Sequence, residues 1–215
     1  MNLNERLYET VLLVIQLKDC IIVTSDLHMN YGNVNKNKSN NHFNLVNNYI
    51  LCCSSTITSD IQFAIDYLKS VLEKSFDYVK KKTNVRVVAQ IIREIYRKTT
   101  TSNCVCVGWD PFHGNQFYLI NQKGSLFKQN FLLTQNNNIH LDKDWMSGYG
   151  KKKSYYFSRK FALEILSTII TLNEKKKGTI KIYSINKYGF KTELVTPFST
   201  IKKFYFSKKN INRLI

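Results

Sequence analysis

The histidine and cysteine side chains are the groups of this sequence that could bind a metal ion or supply a nucleophile. They are His28, His42, His113 and His140, together with Cys20, Cys52, Cys53, Cys104 and Cys106. Zinc sites need such ligands in short, paired spacings, which these residues do not show. The cysteines stand in or beside apolar, strand-like runs and are odd in number, which favours small core residues over a disulfide set. The sequence therefore predicts neither a metal nor a cofactor, and nothing in it places a Ser/His/Asp assembly.

The formal net charge of +17 raises the question of an acidic partner, and nucleic acid is the obvious one. The lysines, however, occur in short runs near the ends of predicted elements, as at 80–82, 151–153 and 175–177. Asn and Ile are enriched together with Lys, as a coding bias would produce, and no arginine-rich helix or zinc finger accompanies them. We therefore predict no nucleic-acid partner. A free-standing basic nucleic-acid-binding protein stays open as an alternative from another class.

The ends of the sequence and its apolar runs argue against secretion and membrane insertion. Residues 1–9 are polar and include Glu5 and Glu9, where a secretory peptide has basic residues. The apolar runs are far shorter than the roughly 20 residues that span a bilayer. The sequence predicts a soluble, intracellular chain with no membrane partner and, at 215 residues, one compact domain.

Residues 10–26 form the element that should position the rest of the chain. Two apolar runs rich in β-branched residues are separated only by Lys18 and Asp19, which is the spacing of a tight hairpin. Because the runs are apolar on both faces of the pleat, the hairpin should be covered on both sides. We expect Val14 and Ile22 to lie in a core between two stacked sheets.

The remaining predicted elements are groups of strands separated by helices. Strands are predicted at 42–46, 49–53, 104–108, 116–121, 125–128, 178–185 and 190–195, and helical spacing occurs at 57–79, 85–95 and 161–170. Residues 130–145 show no periodicity, and no element is predicted there. This order favours an α+β layer fold in which antiparallel sheets stack and helices pack outside them.

The ordered set of motifs resembles that of the proteasome beta-type subunits, which have the N-terminal nucleophile hydrolase fold. The shared features are the hairpin that opens at Thr10 and closes with Ser25-Asp26, two consecutive helices, Gly108-Trp109-Asp110, Gly114, Phe117-Tyr118-Leu119-Ile120-Asn121 and Gly124-Ser125. The resemblance implies a four-layer αββα sandwich of two antiparallel sheets flanked by helices. Within the family, residues 26–32, 147–150 and 197–200 are most similar to the non-proteolytic beta subunit at the seventh ring position.

In active members of that family, an N-terminal threonine attacks the peptide carbonyl and its own amino group serves as the base. The resemblance places Thr10 at the nucleophile position and Asp26 at an acidic position. Glu9 precedes Thr10, however, whereas self-cleaving members have glycine there. Without that cleavage, an internal threonine has no amine to use.

The other positions of the family's site are altered as well. His42 falls on the lysine position, Tyr149 on a serine position, Asn173 near a second acidic position and Lys176 near the serine that follows it. A neutral or weakly basic imidazole does not supply the permanent positive charge that lowers the pKa of a neighbouring amine. The sequence therefore predicts no catalytic residues. Thr10 should be a structural strand residue, and Asp26 a hydrogen-bond anchor for the loop that follows it.

The resemblance implies a non-catalytic structural subunit of the 20S proteasome core, which supports ring assembly and ubiquitin-dependent protein degradation in the cytoplasm and nucleus. Its partners would be other alpha- and beta-type subunits. Residues 1–9 would form a short N-terminal extension, 10–195 the beta-type domain, and 196–215 a tail that contacts beta subunits of the opposite ring. An active threonine endopeptidase with Thr10 as nucleophile is the alternative within the family.

Overall fold

The computed structural model describes residues 11–27, 43–54, 59–74, 83–99, 103–134, 154–172 and 179–195. Its strands are β1 (Leu12–Gln16), β2 (Ile21–Leu27), β3 (Phe43–Asn47), β4 (Ile50–Cys53), β5 (Cys104–Asp110), β6 (Gly114–Ile120), β7 (Leu126–Gln129), β8 (Phe131–Thr134), β9 (Thr179–Asn186) and β10 (Gly189–Val195). Its helices are α1 (Ser59–Lys74), α2 (Val85–Thr99) and α3 (Tyr155–Leu172).

The strands form two antiparallel sheets. Sheet I has the order β10-β9-β2-β1-β8, and sheet II has the order β3-β4-β5-β6-β7. The β1–β2 hairpin lies at the centre of sheet I, where Leu17 N donates to Cys20 O at 2.8 Å across the turn at Lys18 and Asp19. The hairpin predicted from the two apolar runs is therefore confirmed.

Alternate residues of β1 pack into two different layers. Leu12 and Val14 lie between the sheets, where they join a cluster with residues of sheet II such as Val107. Leu13 and Ile15 lie on the other face, in the cluster that packs against α3. This alternation explains why both faces of the strand are apolar, since each face is buried against a separate layer.

The outer face of sheet II is covered by α1 and α2. Apolar residues at three- and four-residue steps pack there against the sheet: Ala64, Ile65, Leu68 and Leu72 in α1, and Val85, Val88, Ala89, Ile92 and Tyr96 in α2. Asn84 caps the start of α2, because its Oδ1 accepts a hydrogen bond from Arg86 N at 2.7 Å. The order α3, sheet I, sheet II, α1 with α2 confirms the predicted α+β, four-layer αββα sandwich.

The sequence predicted no helix or strand at 130–145, and this prediction was wrong near the start of that segment. Residues Phe131–Thr134 form β8, which pairs with β1 so that Leu12 opposes Thr134 and Val14 opposes Leu132. Four residues are too few to show a period, and the strand is specified by pairing with the open edge of β1.

The expected location of Ile22 was also wrong. Val14 lies between the sheets as predicted, but Ile22 is buried on the helix-facing side of sheet I. The physical reason is the register, in which Ile22 pairs with Ile15 and Val14 pairs with Val23. Residues that oppose each other on adjacent strands point to the same face, so Ile22 follows Ile15 toward α3.

Candidate functional site at the mouth of the inter-sheet layer

The positions that the resemblance relates to the family's active site are mostly not described by the structure. Thr10, His42, Tyr149 and Asn173 lie outside the described residues. Asp26 lies in β2, where its backbone pairs with Ile180 of β9. The predicted roles of these residues therefore stay predictions, and the structure describes only side chains near them in sequence or in strand pairing.

Those neighbouring side chains meet at one end of the layer between the sheets. Leu12 opposes Ser25 in the β1–β2 pair, and Ser25 opposes Lys181 in the β2–β9 pair. All three point to the face that packs on sheet II, where Leu12 shares a cluster with Phe43 and Tyr183. We call this end, formed by Leu12, Ser25, Phe43, Lys181 and Tyr183, the mouth.

The start of β1 at the mouth is fixed by β8. Leu12 N donates to Thr134 Oγ1 at 3.1 Å, and the same hydroxyl donates to Leu12 O at 3.4 Å. Thr134 thereby holds the chain two residues after Thr10. Sequence reasoning missed this residue because no strand was predicted at its position.

Phe43 and Tyr183 join the two sheets at the mouth. Their ring centroids are 4.6 Å apart with an interplanar angle of 42°, and both side chains are buried. Lys181 Nζ lies 4.9 Å from the Tyr183 ring centroid and 5.9 Å from that of Phe43. These distances are within the range of cation–π interactions, about 6 Å. The mouth therefore contains the positive charge of Lys181 on β9. No sequence signal distinguished this lysine from the many others.

Ser25 and Lys181 place a hydroxyl and an amine on adjacent strands of the mouth, but these two groups do not form a hydrogen bond with each other. Ser25 is fully buried, and within the described part of the chain its Oγ has no hydrogen-bond partner. The Lys181 amine lies against the two aromatic rings instead. A nucleophile and its base must come within about 2.6–3.2 Å, and the described residues of the mouth form no such pair. What they form is a packed, cationic end of the core.

The cysteines are buried, free thiols. Burial, with the nearby Asp19 carboxylate as a smaller cause, raises the pKa of Cys20 to about 11. Burial likewise holds the pKa of Cys53 well above its ordinary value. Because the thiolate is the reactive form, these groups act by filling the core. Their predicted place in the core is confirmed.

A second polar centre lies at the opposite end of the sandwich, around the fully buried Asp110. Its Oδ1 accepts hydrogen bonds from the backbone N–H groups of Phe112 at 3.0 Å and His113 at 2.8 Å. Its Oδ2 accepts from Val85 N at 3.2 Å and from Gln116 Nε2 at 3.0 Å. Since both oxygens are occupied, Asp110 is a structural anchor that ties the β5–β6 turn to the first residue of α2.

His113 is the only histidine among the described residues, and it belongs to this anchor. Its Nδ1 lies 3.3 Å from both Asp110 Oδ1 and Asn84 Nδ2. Across the residues that the structure describes, no group of three or more His, Cys, Asp or Glu side chains could hold a metal ion.

Over the same ranges, no helix combines the length and the apolarity that crossing a membrane requires.

The two-sheet sandwich, with its central hairpin starting at the mouth, is the architecture of the N-terminal nucleophile hydrolases. The model of the proteasome subunit family matches residues 10–134. Among curated proteins, proteasome subunit beta type-6 of Dictyostelium discoideum is 20% identical over 199 residues, which cover 91% of this chain and 92% of that protein. The chain therefore belongs to the proteasome subunit family, and its similarity to a beta-type member over almost the full length supports the beta type.

Proposed function

We propose that this chain is a non-catalytic structural beta subunit of the 20S proteasome core, where it supports ring assembly and thereby ubiquitin-dependent protein degradation. Membership of the family supports a role in the proteasome core. The observation that carries the non-catalytic part is the dipeptide Glu9-Thr10. Self-cleaving members of the family that the chain resembles have glycine before the threonine, and only cleavage at that bond gives the nucleophile its free amine.

The residues of the mouth support the same proposal. His42, at the position of the family's lysine, directly precedes Phe43, whose ring packs on Tyr183. The cation that is present, Lys181 Nζ, lies against these rings. Its charge therefore stabilises the packing between the sheets, which is a structural use of a lysine in this part of the fold.

The proposal includes the ring position and the partners. The chain would occupy the seventh position of a beta ring, contact other alpha- and beta-type subunits, and act in the cytoplasm and nucleus without nucleic-acid or membrane partners. Residues 1–9 would remain as a short extension of the 10–195 domain. Residues 196–215 contain Phe198, Phe204, Tyr205 and Phe206 among lysines, which is too apolar for a solvated tail, and would reach beta subunits of the opposite ring.

Sequencing the N-terminus of this chain in the purified endogenous particle tests the non-catalytic role. We expect residues before Thr10 to be retained and a threonine-directed covalent inhibitor to leave the chain unlabelled. A proteolytic beta subunit of the same particle, which should be labelled, is the internal control. An N-terminus at Thr10 together with a label would establish the active endopeptidase, the alternative that the presence of Thr10 and Asp26 favours.

The native mass of the endogenous protein tests the partners. We expect a multi-subunit particle, whereas a monomer that shifts with added RNA or DNA would favour the nucleic-acid-binding alternative. Deletion of residues 204–215 should leave the domain folded and cause half-particles to accumulate. Replacing Lys202 and Lys203 with Gln, which keeps the aromatic residues, is the matched control. Complete particles at normal yield after the deletion would contradict the proposed contact with the opposite ring.

A further inference from the structure

Among the described residues, the outer strand of sheet I, β10, has an open hydrogen-bonding edge. In the described part of the chain it pairs only with β9, over the whole length from Gly189 to Val195. Asn186 opposes Gly189 across the turn at Lys187 and Tyr188, and a two-residue hairpin closes with a hydrogen-bonded pair. The backbone groups alternate in direction from that pair onward. Those of Phe190, Thr192 and Leu194 therefore point away from β9.

The same three residues carry their side chains on the face of sheet I that is turned to sheet II, but these side chains stay partly exposed. Their partners Ile185, Tyr183 and Lys181 face the inter-sheet layer, where Ile185 and Tyr183 are buried. One strand further out, Phe190 is 38% exposed and Leu194 is 65% exposed. The start of β10 approaches the β3–β4 turn of sheet II, where a Cβ at Gly189 would lie 3.5 Å from Asn48 O, so the exposure is greatest toward Leu194. Within the described residues, β10 combines a partly exposed apolar surface with an unpaired edge, a combination that soluble proteins usually protect.

The opposite face of β10 is held firmly by α3. Arg159 donates two hydrogen bonds to Glu193 Oε2, at 2.9 Å from Nε and 2.7 Å from Nη2. Tyr155 Oη lies 3.4 Å from Glu193 Oε1, and Val195 packs against the α3-side core. Burial acts to raise the pKa of Glu193, but Arg159 and Lys191 together outweigh burial and hold that pKa below its ordinary value. A strand fixed in this way presents its free edge in one conformation, which reduces the entropy lost when a partner pairs with it.

The charges around the edge favour an acidic partner. The β9–β10 hairpin is net positive: it carries Lys181, Lys187 and Lys191 and one acid, Glu193, which pairs with Arg159 and, at 3.5 Å, with Lys191 Nζ. The tail that follows β10 carries further basic residues and no acid: Lys202, Lys203, Lys208, Lys209 and Arg213. Like charges disfavour pairing of this tail, or of the tail of a second copy, with the edge.

We propose that the β10 edge accepts an extended, acid-bearing segment of a neighbouring proteasome subunit as an added strand of sheet I. Backbone hydrogen bonds to Phe190, Thr192 and Leu194 would supply affinity, and apolar side chains of the segment at alternate positions would cover Phe190 and Leu194. Acidic side chains of the segment would be attracted by the net positive charge of the hairpin. The inference rests on the proposed function, since it needs the chain to be in the particle.

Hydrogen exchange at single-residue resolution compares the free chain with the particle that contains it. The amides of Phe190, Thr192 and Leu194 should exchange freely in the chain and become protected in the particle. The amides of Lys191, Glu193 and Val195, which bond to β9, are the internal control and should be protected in both. An alternating gain of protection is what strand addition produces, whereas simple covering of the surface would not follow this two-residue period.

A photo-crosslinking residue at Phe190 identifies the occupant. We expect it to crosslink to an acid-bearing segment of an adjacent subunit. The control places the same photo-crosslinking residue at Phe112, an exposed site on the β5–β6 turn, and should not give that product. Thr192→Pro removes an outward N–H and should lower the crosslink yield about tenfold, the effect of one lost hydrogen bond. Thr192→Val keeps the N–H and should retain the yield.

The outcomes separate the two proposals. A chain that native mass places in the particle, but whose β10 amides exchange freely or whose crosslink goes to its own tail or to a second copy, would overturn the strand-addition proposal alone. A chain that never enters the particle would overturn the proposed function as well. The alternating protection, with a crosslink to an acid-bearing neighbour that depends on the Thr192 N–H, would establish the proposal.

Discussion

The two ends of the inter-sheet layer are held together by different kinds of contact. At the end opposite the mouth, which we call the turn end, Gln16 Nε2 donates to Asn115 O at 2.8 Å and Asn115 Nδ2 donates to Lys18 O at 3.1 Å. These bonds link the β1–β2 turn of sheet I to the β5–β6 hairpin of sheet II. At the mouth, the sheets are joined by the Phe43–Tyr183 ring pair.

This difference shows which end the fold depends on for its geometry. Hydrogen bonds are directional, so the turn end, with Asp110 beside it, fixes how the sheets are placed relative to each other. Ring packing at the mouth is less directional and tolerates changes of side chain. Side chains at the mouth can therefore change while the sandwich remains intact.

The largest expected effect comes from Asp110→Ala at the turn end. The change leaves the N–H groups of Val85, Phe112 and His113 and the Gln116 amide without their acceptor. It should lower the free energy of unfolding by about 3 kcal/mol or more, measured by urea denaturation of the purified chain. Asp19→Ala, at an exposed residue of the same end, is the control and should change it by less than about 0.5 kcal/mol. Equal effects would mean that Asp110 does not anchor this end.

Val14→Ala and Ile22→Ala test the layers between the two ends. Both side chains are fully buried, Val14 between the sheets and Ile22 against the α3 side. Each truncation should cost about 2 to 4 kcal/mol in the same denaturation experiment, because the surrounding core collapses only partly. Val87→Ala, at a half-exposed valine of α2, is the matched control. A loss from Ile22→Ala no larger than that of the control would contradict its burial under α3.

Asn115→Ala removes one of the two hydrogen bonds between the turns and should cost about 1 kcal/mol. Asn130→Ala, at an exposed asparagine, is the control. Combining Asn115→Ala with Gln16→Ala sharpens the comparison, because the second bond runs from Gln16 Nε2 to the Asn115 backbone. The two losses should deviate from additivity, as neighbouring members of one network do. Strict additivity would show that the two bonds act separately.

Much of the fold follows from local patterns in the sequence. The β1–β2 hairpin was predicted because two apolar runs are separated by only two turn residues, and α2 because its apolar residues recur at helical spacing. The strand β8 was missed because four residues show no period, and its state depends on pairing with β1 across most of the chain. The layer of Ile22 depends on register, which a hairpin's composition alone does not specify.

The candidate site was less accessible to sequence reasoning. Gly108-Trp109-Asp110 was recognised as a family-like motif, but the role of Asp110 depends on its bond to Val85 N, 25 residues away. Lys181 could not be distinguished from other lysines until β9 was placed beside β2. Both residues act through contacts between elements that are distant in sequence, and neither a period nor a local spacing encodes such contacts.

Lys181→Met should have the smallest effect and tests the mouth directly. Methionine keeps an unbranched, apolar side chain against Phe43 and Tyr183, and its sulfur can itself contact aromatic rings. Only the cation–π attraction is lost, because none of the described carboxylates forms an ion pair with Lys181, so the free energy of unfolding should fall by about 0.5 to 1 kcal/mol. Lys128→Met, at an exposed lysine of β7, is the control and should have no measurable effect. A loss from Lys181→Met comparable to that from Asp110→Ala would show that the mouth depends on a specific polar contact, and the contrast between the two ends would then be wrong.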